Sequence, residues 1–290
     1  MKPEASHLSS DGMAGSTRYS LYEARAGHRA STVVLVHGVG MNRTVWAPQI
    51  DALTARFQVL TYDMLGHGDS AIPGADPMLA DYATQLATLL DALNIARAHV
   101  VGHSMGALVA LEFALTYPAR TLSVAALNAV YDRTPEQRAA VMDRASTLDA
   151  SATAAGVDGT IARWFGEPVP AHLEAAARDL RALLVGVNPV GYARTYRLFA
   201  SSDDAHVGRL ESLDVPALFL TGEADPNSTP SMSEAMASAT PKGRAEIIAG
   251  ARHMMNVTDP DRVNERLLAF LTEAIGEPST QQARTGARHD

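Results

Sequence analysis

Val100-Val101-Gly102-His103-Ser104-Met105-Gly106 is the stretch that decides the fold. It is an apolar run ending in G-x-S-x-G, and it continues into Ala107-Leu108-Val109-Ala110-Leu111. That is the pattern of a strand, a sharp turn carrying a serine, and a helix. Gly102 and Gly106 leave room for strand and helix to close on each other, and Ser104 between them is forced into a strained backbone with its hydroxyl exposed. The pentapeptide alone is common. It gains meaning only with oxyanion donors before it and an acid and a histidine after it.

Those parts follow in order. Thr32-Val33-Val34-Leu35-Val36 reads as a buried strand and ends in His37-Gly38-Val39-Gly40, a turn. The N–H groups of Val39 and Met105 are the candidate oxyanion hole, each donor worth about 3 kcal/mol in a transition state. Val215 to Leu220 reads as another strand, and Thr221-Gly222-Glu223-Ala224-Asp225-Pro226 follows it, so Asp225 sits at a strand C-terminal end. An acid there can hold a histidine's Nδ1–H and stabilise the imidazolium. Asp132, just past the preceding strand, is the rival, and Asp225 is preferred. Gly250-Ala251-Arg252-His253 follows strand 245–248 and supplies the general base that a serine hydroxyl needs. The order Ser104, Asp225, His253 is that of a strand–turn–helix nucleophile site rather than of chymotrypsin or subtilisin.

Outward from these motifs, strands alternate with helices from about residue 32 to 128. Strands are read at 58–62, 99–102 and 122–127, with helices at 79–93 and 104–117. Such alternation predicts parallel strands with sites at their C-terminal ends. From Tyr131 to about His206 only helical patterns occur (135–148, 159–165, 172–187 and 189–201), which reads as a helical cap inserted over the sheet edge. The expected organisation is a core over 17–130 and 207–275, a cap over 131–206, and flexible termini at 1–16 and 276–290, with Tyr19 to Ala24 an outer strand.

The bulk properties narrow the function. The 290 residues are 47% hydrophobic and 19% charged, with a net charge of −8, so a nucleic-acid partner is not expected. There is no cysteine, which excludes disulfides and thiolate chemistry and fits a cytoplasmic location. No signal-like segment or apolar run of roughly 20 residues appears, so no membrane association is expected. Asn42, Asn227 and Asn256 open glycosylation-type triplets that read as chance. The only lysines are Lys2 and Lys242, so a cationic contact in a site falls to arginine, a planar fork suited to carboxylates. His37, His67 and His103 sit beside glycine at strand ends and read as backbone-bonding groups, not metal ligands. His99, His172 and His206 read as surface residues. No metal and no cofactor are expected.

His37-Gly38, Asp63-x-x-Gly66-His67-Gly68-x-Ser70, Gly102-His103-Ser104-Met105-Gly106, Gly222-x-x-Asp225 and Gly250-x-x-His253 together resemble the α/β-hydrolase superfamily. The resemblance implies an α/β fold with an eight-stranded, mostly parallel sheet and a helical cap after strand six. Arg163-Trp164-Phe165 and Asn188-Pro189-x-Gly191-Tyr192-Ala193 resemble 3-oxoadipate enol-lactonases, although His37-Gly38-Val39-Gly40 and Val130-Tyr131-Asp132-Arg133 depart from them. The resemblance implies a serine hydrolase of a small lactone, ester or activated amide bearing a carboxylate, with aminomethylene-succinate-type enamides as neighbouring substrates. A cofactor-free perhydrolase or haloperoxidase, a carbon–carbon bond hydrolase and a ligand receptor on the same fold are the alternatives.

Selectivity is expected from the cap. Arg133, Arg163, Arg194 and Arg197 are candidate carboxylate forks, with Arg133 favoured. Tyr131, Trp164, Tyr192 and Tyr196 are candidate pocket walls, and Met254 and Met255 are expected to pack. The partner is a small-molecule substrate, and the chain is expected to be a monomer or homodimer.

Overall fold

The computed structural model describes residues 8–25, 30–148 and 156–276. Eight strands form one sheet: β1 Leu8–Ala14, β2 Thr17–Tyr22, β3 Thr32–Val36, β4 Gln58–Tyr62, β5 Ala98–His103, β6 Thr121–Leu127, β7 Ala217–Gly222 and β8 Gly243–Ile248. Their order is β1-β2-β4-β3-β5-β6-β7-β8. The first two pairings are antiparallel, β1 with β2 and β2 with β4, and every later pairing is parallel.

The helices are α1 Ala47–Leu53, α2 Leu79–Ala92, α3 Met105–Thr116, α4 Pro135–Ser146, α5 Val157–Phe165, α6 Glu174–Val185, α7 Pro189–Ala200, α8 Pro230–Ala239, α9 Met255–Thr258 and α10 Pro260–Ala274. Strand alternation divides the core. Val34 and Val36 of β3 face the cluster holding α2, α3 and α8, while Val33 and Leu35 face the cluster holding α1 and α10. Helices cover both faces, which is why β3 and β5 are wholly apolar or buried along their length. α3 is buried almost all round, so it lacks an amphipathic stripe. None of the helices among the described residues is long and apolar enough to cross a membrane.

Between β6 and β7 lie α4 to α7, with no strand among the described residues there. α4 packs on α7 and α5 on α6. Val141, Ala145, Phe199 and Ala200 extend the first core cluster, while Ile161, Trp164, Leu180 and Leu184 extend the second. Local chemistry starts these helices sharply. Thr134 and Gln137 form a reciprocal cap ahead of Pro135, and Asn188 accepts the Gly191 N–H ahead of Pro189.

Three expectations need correction. Residues 8–14, read as part of a flexible lead-in, form β1, because their polar alternation pairs with β2 at a solvent-facing sheet edge. His99 is buried, not on the surface: β5 lies between β3 and β6, so even its first residues are covered, and the ring bonds Ser123 and Ser31. His206 is buried as well, 3.3 Å from Glu112 of α3. Residues 1–7 and 277–290, read as flexible ends, lie outside the described residues.

Candidate active site

The elbow follows from sterics. Ser104 has φ +56° and ψ −120°, a conformation that costs an ordinary residue on the order of 1–3 kcal/mol. A Cβ at Gly102 would strike the Gly106 carbonyl, and one at Gly106 would strike the Val36 and His37 carbonyls. Strand β5, helix α3 and the end of β3 are therefore packed backbone to backbone, and only glycine fits at either position.

The two candidate oxyanion donors are oriented by their own peptide planes. The Gly38 carbonyl accepts the His37 Nδ1–H at 2.8 Å and the Met41 N–H at 3.2 Å. The 38–39 peptide is trans, so the Val39 N–H points the opposite way, away from those partners. The Ser104 carbonyl accepts the Ala107 N–H at 2.9 Å and turns into α3, so the Met105 N–H points back out of the helix start.

His37 and His67 hold this loop from both sides. His37 Nε2 accepts the Met64 N–H at 3.0 Å, which makes Nδ1 the protonated nitrogen. His67 Nε2 accepts the Gly40 N–H at 3.0 Å and its Nδ1 donates to the Leu65 carbonyl at 3.1 Å. Burial pushes their pKa values down to about 4 for His37 and about 3 for His67, so both are neutral near pH 7. These two histidines do the backbone-bonding work anticipated for them.

β7 and β8 bring the acid and the histidine together. The Ala224 N–H donates to the Ala251 carbonyl at 2.9 Å, and a Cβ at Gly222 would strike that same carbonyl. The two loops are thus stitched at the sheet edge. His253 Nδ1 donates to Asp225 Oδ2 at 2.8 Å. The same oxygen accepts Asn128 Nδ2 at 2.7 Å, and Oδ1 accepts the Asn227 N–H at 2.8 Å. Burial raises the Asp225 pKa, but the His253 charge and these donors more than offset it, leaving the carboxyl below its ordinary value. Asp132 is exposed, with its N–H bonded to the Asp203 carbonyl, and takes no part in this arrangement.

The His253 ring is held on two sides. Trp164 stacks at 6.0 Å between centroids and His103 lies at 5.0 Å. Burial lowers the His103 pKa to about 3, so its neutral ring donates Nε2–H to the His253 carbonyl at 2.7 Å. Ser104 and His253 line one cavity of about 270 Å³. Among the described residues the Ser104 hydroxyl has no hydrogen-bond partner, and such contacts tighten when a reactant is bound.

Most of the remaining cavity wall comes from α4, α5 and α7, with Val39, Arg133, Pro226 and Asn227 added from the loops after β3, β6 and β7. It includes Arg133, Gln137, Arg144, Thr160, Arg163, Trp164, Tyr192 and Tyr196, with no carboxylate among the lining residues. The favoured arginine is not the free one. Arg133 is buried, its guanidinium 3.4 Å from Asp203 and stacked over Phe199 at 4.8 Å. Among the described residues, neither Arg144 nor Arg163 has a carboxylate partner. Arg144 reaches the Tyr196 hydroxyl at 3.3 Å and Arg163 the Thr160 hydroxyl at 2.9 Å. Burial, then the like charge of Arg144, lowers the Arg163 pKa.

Tyr131 does not line this cavity; it follows β6 and packs against the core cluster. Arg194 and Arg197 also turn elsewhere, to the Pro73 and Leu148 carbonyls. Met254 and Met255 are buried in the core. Sequence reasoning missed Arg144 and Asn128. Arg144 carries no local signal beyond its place on a helix. Asn128 follows an apolar strand directly, the same signal that pointed to Asp225.

A family model for the α/β-hydrolase fold matches residues 31–260. The chain belongs to that family. It is 37% identical over 240 residues to the (E)-2-((N-methylformamido)methylene)succinate hydrolase of Acinetobacter baylyi, covering 82% of this chain and 89% of the relative. It is 30% identical to 3-oxoadipate enol-lactonase 1 of the same organism, covering 83% and 89%. Among solved structures it is similar to the enol-lactonase from Burkholderia xenovorans LB400, with a TM-score of 0.78 and 28% identity over 88% of this chain and 96% of that one.

Proposed function

We propose that this α/β-hydrolase family member cleaves a small, carboxylate-bearing lactone, ester or activated amide through an acyl-enzyme on Ser104. The observation that carries the reading is the Asp225–His253 hydrogen bond at 2.8 Å, opening on the cavity that Ser104 also lines. In the first half-reaction His253 Nε2 takes the Ser104 proton as the hydroxyl attacks the substrate carbonyl. The Val39 and Met105 N–H groups receive the oxyanion, and Asp225 stabilises the imidazolium. His253 returns the proton to the leaving group. Water, activated by the same histidine, then releases the acid.

The substrate class follows from charge. Arg144 and Arg163 are like-charged neighbours on a cavity wall that holds no carboxylate. A substrate carboxylate supplies the missing counter-charge, and a guanidinium can bind it in two-pronged fashion. The relatives named for succinate and oxoadipate derivatives fit this polarity. Enamides of methylene-succinate type come first, ahead of enol-lactones, because the more similar of these two relatives is named for the former.

The test is fluorophosphonate labelling with mapping of the adduct, joined to a turnover screen over carboxylated enamides, enol-lactones and neutral esters. Adduct on Ser104 and a preference for the carboxylated compounds are expected. Labelling elsewhere, or equal turnover of neutral esters, would overturn the nucleophile or the substrate class respectively.

A further inference from the structure

Asn128 closes β6 and takes no part in the chemistry proposed above. It is fully buried at φ +49°, a left-handed conformation that asparagine, aspartate and glycine tolerate best. Its backbone is pinned at both ends: its N–H donates to the Leu220 carbonyl at 2.9 Å, and its carbonyl accepts the Ser228 hydroxyl at 2.7 Å. The side chain is therefore delivered to a fixed place. There Nδ2 donates to Asp225 Oδ2 at 2.7 Å, the oxygen that also receives His253 Nδ1. An ionised carboxylate only accepts, so the amide must face it with nitrogen. Its carbonyl oxygen, Oδ1, is buried and has no hydrogen-bond partner among the described residues.

We propose that Asn128 is a positioning residue that sets the basicity of His253 by sharing the acceptor oxygen of Asp225. Two donors on one oxygen divide its electron density. Each proton held by the amide weakens the hold of that oxygen on the imidazolium, which is bound less strongly than it would be by an Asp225 left to it alone. The amide also fixes which Asp225 oxygen faces the ring, because the Asn227 N–H secures the other.

The remaining groups around His253 do not do this work. His103 on β5 is held neutral and bonds the His253 backbone, not its ring. Trp164 on α5 stacks on the ring without a charge. Arg133, Arg144 and Arg163 face the ring side that opens on the cavity, and Arg252 precedes it in the chain. All four are fixed cations, Arg133 paired with Asp203, and none changes with what stands at 128.

The proposal rests on the serine-hydrolase reading, and the experiment separates the two. The rate of fluorophosphonate labelling of Ser104 is measured from pH 4.5 to 9 in the full chain, because the acidic limb of that profile reports the titration of His253. Asn128→Asp keeps size and backbone preference but sets a second carboxyl against Asp225, so the two share a proton and a negative charge is added only once that proton leaves. Asn128→Gly keeps the left-handed backbone and removes the amide alone. The acidic limb is expected to move up by a few tenths of a pH unit in Asn128→Gly, and to move up in Asn128→Asp above the pH at which the shared proton leaves. At the alkaline plateau, labelling falls no more than about tenfold.

A merely structural asparagine would lower thermal stability and leave the limb in place. Unmoved limbs in both variants, with the parent labelled at Ser104, overturn the role of Asn128 alone. If Asn128→Asp does not fold, the shift in Asn128→Gly decides. An unlabelled parent overturns both this role and the serine-hydrolase reading.

Discussion

The sheet edge and the helices α4 to α7 meet at one cavity, but they hold their side chains by different means. At the edge, backbone does the work. Gly102 and Gly106 allow main chain to touch main chain, the His37 and His67 rings bond peptide groups, and the Asp225 and His253 loops share a peptide hydrogen bond. In the helical segment, side chains do the work: Arg133 with Asp203, Arg144 with Tyr196, Arg163 with Thr160. Backbone contacts depend on a few glycines and turn residues at fixed spacing. Side-chain contacts depend on which face of each helix turns inward. The difference teaches that reactivity here is fixed by short motifs and recognition by packing.

The largest expected effect tests the edge. Ser104→Ala should lower kcat by about 10⁵-fold or more, since losing the nucleophile disables the whole unit. Steady-state hydrolysis within tenfold of the parent would break the edge's assigned role. Asp225→Asn should cost about 10⁴-fold through the wrong histidine tautomer, with KM little changed. Asp132→Asn, the rival acid, should leave kcat within about twofold because its side chain is exposed and His253 Nδ1 is held by Asp225. A reversal of those two results would move the acid to the segment after β6.

The next effect tests the helical side. Arg144→Gln or Arg163→Gln should raise KM for a carboxylated substrate by about 10- to 100-fold, the loss of one charge-assisted contact. Neutral esters should be hydrolysed within about twofold of the parent rate. Comparable losses on both substrate types, measured as kcat/KM, would mean that the arginines support the fold rather than select the anion.

The smallest effect reads the seam between the regions. Glu112 of α3 pairs with His206 and Arg209, which lead from the helical segment back to β7. The His206 ring 3.3 Å away, opposed by burial and aided by Arg209, lowers the Glu112 pKa from 4.5 to about 2. A carboxyl depressed in the folded state stabilises fully above its unfolded pKa and loses that contribution as pH falls through the folded value. Glu112→Gln should therefore be about 2 kcal/mol less stable than the parent at pH 7. The gap should narrow between about pH 4.5 and 2 and vanish below, as urea unfolding at several pH values would reveal.

By itself the sequence determined the parts whose physics is local. Thr32–Val36 and Gln58–Tyr62 are strands at the residues their β-branched and apolar patterns indicated. The G-x-S-x-G turn, the strand-end positions of Asp225 and His253 and the helical character of α4 to α7 were equally legible, because periodicity and turn chemistry act over a few residues. Tertiary structure alone decided the rest. Arg133, Arg144 and Arg163 all line the cavity, but Arg133 pairs with Asp203, 70 residues on, which it shares with Arg138, while Arg144 and Arg163 have no carboxylate partner among the described residues. Tyr131 turns to the core, and His99 and His206 are covered by elements distant in the chain. Asn128 reaches Asp225 only because β6 and β7 lie side by side. Charge partners and burial are set by neighbours across the fold, and a pattern read along one strand or helix holds no record of what packs against it.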